Sequence, residues 1–221
     1  MSLPHTVLAV VFDMDGLLCD TEVVYRDAMH AVAAERGHDF PLALFQSMIG
    51  LPGPMSDRQM LNHFGEDYPV ADFNEQVRVR VDAACDAGIV LKAGVTELLD
   101  HLEAADLPRA IATSSSHRAV QAHLGQSGVL PRFHEVIARG DYARGKPNPD
   151  PFLKAAERLG VAPAHCLALE DSHNGVRAAS AAGMMTVMVP DLLDATEEMH
   201  GLCVRIARDL HEVREMLAAQ G

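Results

Sequence analysis

The chain has 221 residues, enough for one large domain or for a core with a smaller companion. Apolar residues make up 48% and charged residues 22%, the balance of a soluble globular protein. The formal net charge of -13 argues against nucleic acid or an anionic membrane surface as a main partner, and an anionic small molecule would need locally placed cations or a metal.

Val7 to Phe12 (VLAVVF) is a short apolar run rich in β-branched residues, which predicts a central strand buried on both faces. The next segment offers no good strand. Thr21–Arg36 predicts an amphipathic helix with Val24, Tyr25, Ala28, Met29, Val32 and Ala33 on one face and Gly37 ending it. Pro41–Met48, Met55–Phe64 and Val70–Ala87 also read as helices, with Gly50-Leu-Pro-Gly-Pro54 as a rigid break. The pattern then changes. Apolar runs at Arg109–Thr113, Glu135–Ala138, Cys166–Leu169 and Thr186–Val189, and a weaker one at Leu202–Ile206, alternate with helical spacing over Thr96–Ala104, His117–Gly125, Pro149–Leu159 and Asn174–Ala182. Gly125, Gly160 and Gly183 fall where a helix end favours positive φ. Asp209–Ala219 reads as a closing helix. This alternation predicts an α/β fold: a Rossmann-like parallel sheet with helices on both faces, built from residues 1–16 and 93–221, with residues 17–92 inserted as an α-helical cap.

The four cysteines are scattered and the twelve histidines form no metal-binding motif, so reduced thiols in a cytoplasmic protein are expected. The apolar run near the N-terminus is short, ends in acids and follows no basic leader, so neither a signal peptide nor a membrane span is expected.

Ligands of open parallel sheets sit beyond the carboxyl ends of the strands. Asp13 and Asp15 lie just past the first strand, two residues apart and so on the same side of an extended chain. Each raises the other's pKa unless a cation intervenes. Alone, the pair reads equally well as helix-capping or turn acids. Other strand ends carry matching chemistry, however. Thr113-Ser-Ser-Ser116 places hydroxyls and free backbone N–H groups at a helix start, suited to phosphate. Gly145-Lys-Pro147 holds a lysine in a stiff turn, and Glu170-Asp171 is a second acid pair.

Taken in order, these four motifs closely resemble the haloacid dehalogenase-like superfamily, in the branch with a helical cap after the first motif that includes β-phosphoglucomutase-like and phosphoglycolate phosphatase-like members. The matches are Asp13-Met-Asp-Gly16, Thr113-Ser114, Gly145-Lys146-Pro147 and Glu170-Asp171-Ser172 with Gly175. Lys92-Ala93 stands where relatives often have a proline. The resemblance implies a Mg²⁺-dependent phosphatase acting on a small phosphomonoester, with sugar phosphates favoured, through an aspartyl-phosphate. Asp13 is then the nucleophile and Asp15 the general acid and base. Lys146, the Ser114 hydroxyl and the Ser115 N–H would meet the phosphoryl oxygens. The implied Mg²⁺ ligands are the Asp13 and Asp171 carboxylates and the Asp15 carbonyl, with Glu170 acting through water or orienting Lys146. The alternatives are a β-phosphoglucomutase-like isomerase and a non-catalytic phosphate-binding module.

The cap would serve as a lid hinged near Gly16–Asp20 and Ala87–Gly94. Thr21, Glu22 and Tyr25 are candidates to face the site, with a plain N-cap as the competing role for Thr21. Ser116, His117 and Arg118 are candidates to touch the leaving group. Ile49–Pro54 would be the substrate-facing lid loop. It carries no charge; the nearest arginine is Arg58, which weighs against a second phosphate site there. Cys19 is expected to be a packed thiol, and the expected state is a monomer or weak homodimer.

Overall fold

The computed structural model describes residues 3–49, 51, 53–86 and 88–219. Six parallel strands form one sheet: β1 (Ala9–Phe12), β2 (Arg109–Ser116), β3 (Glu135–Arg139), β4 (Cys166–Glu170), β5 (Met185–Met188) and β6 (Arg205–Ile206). Their order is β3-β2-β1-β4-β5-β6, so β1 is central and the chain reverses direction across the sheet on either side of it. That reversal places the crevice beyond β1, β2 and β4, where the two halves diverge.

β1 is fully buried, and its alternation sorts the two faces. Val10 and Phe12 pack with α5 (Val95–Ala104), α6 (His117–Leu124) and α10 (Leu210–Ala218) through Leu98, Leu102, Leu124 and Val213. Ala9 and Val11 face the other way, toward α7 (Asp150–Leu159) and α8 (His173–Ala181). On that face Ala110, Ala112 and Ala168 keep the sheet thin, and Phe152 fills the space they leave. Full burial of such a ring contributes about 1.5–3 kcal/mol.

Between β1 and α5 stand four helices: α1 (Thr21–Glu35), α2 (Leu42–Met48), α3 (Gly53–Phe64) and α4 (Val70–Asp86). They bury a cluster of their own, with Val32, Phe40, Phe45, Met60, Phe73 and Val81 at its centre. Phe40 stacks on both Phe64 and Phe73. Two chain segments join these helices to the sheet and run side by side: Asp20 N donates to Val90 O, Lys92 N donates to Leu18 O, and Cys19 bridges Leu91. No described helix is long and apolar enough to cross a membrane.

Several boundaries differ from the sequence reading. β2 runs on to Ser116, because Ser116 pairs with Arg139 of β3 after an irregularity beyond Ala112; the hydroxyl triplet both ends the strand and leads into α6, as expected of a helix start. Gly53 and Pro54 open α3 instead of belonging to the break, while Gly50 and Pro52 of that break, and Ala87 of the second join, lie outside the described residues. Gly125 has φ -61, so α6 ends without a left-handed residue, whereas Gly37, Gly160 and Gly183 are left-handed as expected. An additional helix, α9 (Glu197–Leu202), occupies the start of the weak apolar run and leaves only two residues for β6.

Candidate active site

β1 ends at Phe12, and Asp13 N donates to Leu169 O of β4 at 2.9 Å, so the first acid is locked to the strand that carries the second pair. Glu170 and Asp171 follow at the end of β4. Ligand oxygens of Asp13, Glu170 and Asp171 lie within 4.8 Å of one another, and all three residues are buried. Lys146, carried by the loop before α7, places Nζ 2.5 Å from Asp13 Oδ1 and 2.5 Å from Glu170 Oε1. Its ammonium also lies 5.0 Å from the centre of the Phe152 ring, so the core aromatic under α7 supports the lysine.

Three buried carboxylates against one ammonium leave an excess of negative charge. Burial, with the neighbouring acids and against the pull of Lys146, pushes Asp13 up to about 8. Asp171 is also raised well above the usual carboxylate range, by burial first and then by Asp13 and Glu170. Burial works against the Lys146 charge, yet Asp13 and Glu170 outweigh it and hold the ammonium above the ordinary lysine range. A cluster of this kind calls for a further cation, and an all-oxygen donor set suits a hard divalent one. Two glycines let the carboxylates of the cluster approach the backbone closely. Gly16 has φ +84, and a β-carbon there would lie 2.3 Å from Asp171 Oδ2; one at Gly175 would lie 1.9 Å from Glu170 Oε1. Glu170 is the least available ligand. Its Oε1 meets Lys146, and its Oε2 accepts from Asp171 N, Ser172 N and Ser172 Oγ.

Asp15 is held differently. Its Oδ1 accepts from Thr21 Oγ1 at 2.8 Å, its Oδ2 accepts from Ser115 Oγ at 2.7 Å, and His123 Nδ1 lies 3.1 Å from Oδ1. Burial acts to raise its pKa, but the His123, Ser115 and Thr21 contacts outweigh burial and hold it below the ordinary value. In this arrangement Asp15 is held in its ionised form. Thr21 is the first residue of α1 and its hydroxyl is spent on Asp15, not on an N-cap.

These groups open into a cleft of about 390 Å³. Its floor includes Asp13, Asp15, Ser114, Ser115, Lys146 and Asp171, and its roof is apolar, with Met29, Phe45, Met48, Ile49 and Leu51 from the helical insert. Tyr25 and Glu22 of α1 also line it. Burial and the acids around it, Asp191 foremost, push Glu22 up to about 7.

The other sequence candidates sit outside this cleft as described. Ser116 caps α6 by accepting from Ala119 N at 3.3 Å. His117 Nε2 pairs with Asp141 Oδ2 at 2.8 Å. Arg118 reaches Asp82 at 3.4 Å, and Arg58 is engaged by Glu66 on the surface. Cys19 is fully buried, and burial followed by the charges of Asp15 and Asp13 pushes its thiol up, as befits a packed and unreactive group.

Arg139 and His123 are among the lining or contacting residues that went unread in the sequence. Arg139, at the carboxyl end of β3, lines the cleft and makes no ion pair among the described residues. The strand-end rule applied to β3 would have found it. His123 carries no such signal, because its position on α6 between Val120 and Leu124 reads as core.

Comparison with known proteins agrees with this geometry. A relative from Drosophila melanogaster named "probable pseudouridine-5'-phosphatase" is 38% identical over 187 residues, covering 82% of this chain and 80% of that one. The "phosphorylated carbohydrates phosphatase" of Thermotoga maritima is 34% identical, covering 80% and 82%. The crystal structure of CbbY from Rhodobacter sphaeroides in complex with phosphate superposes with a TM-score of 0.78 at 27% identity, over 94% of this chain and 96% of that one. Residues 7–183 match the model of the haloacid dehalogenase-like hydrolases, and the chain belongs to that family.

Proposed function

We propose that the protein is a Mg²⁺-dependent phosphatase that hydrolyses a small phosphomonoester, a sugar phosphate in preference, through an aspartyl-phosphate on Asp13. The observation that carries this reading is the placement of the Lys146 ammonium 2.5 Å from both Asp13 and Glu170, with Asp171 alongside, on the floor of a cleft roofed by apolar side chains. The names borne by the Drosophila and Thermotoga relatives support the same class of substrate.

Asp13 and Asp171, with the Asp15 carbonyl, would hold Mg²⁺, and Glu170 would chiefly orient Lys146. When bound, the ion supplies the positive charge that lets Asp13 stay ionised beside a phosphate. Asp13 attacks phosphorus, splitting one displacement into two. Lys146 and the Ser114 hydroxyl receive the equatorial oxygens as charge redistributes, and the Ser115 N–H, which donates to Thr113 Oγ1 at 3.0 Å, would have to leave that contact to join them. Asp15, which the site holds ionised, would first take up a proton from solvent, then give it to the leaving alkoxide and take one from the attacking water. The apolar roof excludes bulk water, which strengthens the electrostatics on the floor.

Arg139 stands two strands from β1, about 10 Å across the sheet at the usual strand spacing. It suits a polar or anionic group at the far end of the substrate. The same cation gives the mutase alternative its one specific support, since a sugar bisphosphate needs a second anion site. The strongly negative chain and its free thiols fit a cytoplasmic enzyme without a nucleic-acid partner.

Phosphate release from a panel of metabolite monoesters, with Mg²⁺ and with chelator, tests this reading. Mg²⁺-dependent release from sugar phosphates is expected. Isomer formation without release would favour the mutase, and no turnover of any ester would leave only a binding module.

A further inference from the structure

His123 is a buried imidazole for which the reaction as described has no use. Its side chain is 3% exposed, on the face of α6 that also carries Val120 and Leu124. An imidazole in such a place needs a partner, because an unpaired buried polar group is costly. The partner is Asp15, the acid and base of the proposed reaction, with Nδ1 3.1 Å from Oδ1. The other side of the ring meets Tyr25 of α1 edge to face, with centroids 6.5 Å apart at 76°.

The three groups that hold the Asp15 carboxylate come from different parts of the fold. Thr21 belongs to the helical insert, Ser115 to the end of β2 and His123 to a helix packed on the sheet. A movement of the insert changes the grip of Thr21. Ser115 and His123 are carried by β2 and α6, outside the insert, although α6 also touches it through Tyr25 and Asp82. Ser115 holds one oxygen only, which leaves the carboxylate free to swing about that contact. His123 fixes the other oxygen.

We propose that His123 is a positioning residue for Asp15: it fixes the orientation of the carboxylate toward the leaving-group oxygen. The proposal rests on the phosphatase reading above. It concerns proton transfer alone, so it separates esters by leaving group. Alkoxides need protonation to depart, whereas nitrophenolate does not.

The test compares kcat/KM for p-nitrophenyl phosphate and for an alkyl ester, taken as the best turned over of glucose 6-phosphate, fructose 1-phosphate and glycerol phosphate. His123→Phe keeps a ring against Tyr25 and removes the donor. His123→Asn places an amide nitrogen where Nδ1 stood. The Phe variant is expected to lose at least about 10-fold more activity on the alkyl ester than on the aryl ester, a fraction of the usual contribution of general acid catalysis. The Asn variant should recover most of that difference. Equal loss on both esters, no loss on either, or an Asn variant no better than Phe would overturn the proposal. His123→Leu replaces Phe if Phe does not fold, and failure of both to fold would make the role structural and overturn it as well. Wild-type protein inactive on every ester would defeat the phosphatase reading. Activity that needs Asp13 but is indifferent to His123 would defeat this inference alone.

Discussion

A β-carbon placed on Gly16 would lie 2.3 Å from Asp171 Oδ2. The glycine of the first motif therefore serves the acid of the fourth, across β1 and β4. Its φ of +84 adds a second requirement, since side chains other than glycine's rarely adopt that region. Gly16→Ala is expected to displace the Asp171 carboxylate and weaken Mg²⁺ binding. A rise of about tenfold or more in the Mg²⁺ concentration for half-maximal activity is expected, in line with other disruptions of ligand support. Titration calorimetry with Mg²⁺ checks it, and unchanged affinity would separate Gly16 from the metal site.

Asp13 carries the clearest pH signature. Its carboxyl is raised to about 8 by burial in the metal-free site, against an ordinary value near 3.8. Between those values the folded state holds a proton that the unfolded chain has released. The contribution of Asp13 to stability is therefore full below about 4 and lost as pH rises toward 8. Mg²⁺ must expel that proton, so its binding tightens over the same window. Thermal unfolding with and without Mg²⁺ should show a stabilisation by the ion that grows from pH 5.5 to pH 8. A shift independent of pH would mean that Asp13 is already ionised in the free protein.

Arg139 offers a specificity test. Among the described residues it has no ion-pair partner, and it lines the cleft. Arg139→Ala should raise KM about tenfold for substrates with a distal anionic group, the value of one charge-assisted contact of about 1.5 kcal/mol. kcat/KM for p-nitrophenyl phosphate, which lacks such a group, should stay within about twofold. Equal effects on both substrates would move Arg139 into the general machinery of the site.

Much of this arrangement is legible in the residues because it is local. A β-branched run buried on both faces announces β1, and the break in strand–helix alternation announces the inserted helices. Acids, hydroxyls and lysine at successive strand ends announce the floor of the cleft. What escaped depends on distant neighbours. Ser114 to Ser116 do lead into a helix that Ser116 caps, but Arg139 of β3 also draws Ser116 into the sheet, which the residues alone do not announce. α9 buries only Met199, so it shows no helical apolar period. Ser116, His117 and Arg118 follow the second motif directly, but capping, Asp141 and Asp82 claim them. The meaning of His123 lies 108 residues away, at Asp15.

The central claim is that Asp13 becomes phosphorylated, and rapid acid quench of a turnover mixture followed by mass spectrometry of the Asp13 peptide tests it most directly. With Mg²⁺ and a phosphomonoester, one phosphoryl group should be found on Asp13; it should be absent with chelator, and Asp13→Asn should neither acquire it nor release phosphate. A phosphoryl group on a different residue, or near-normal phosphate release by Asp13→Asn, would contradict the account.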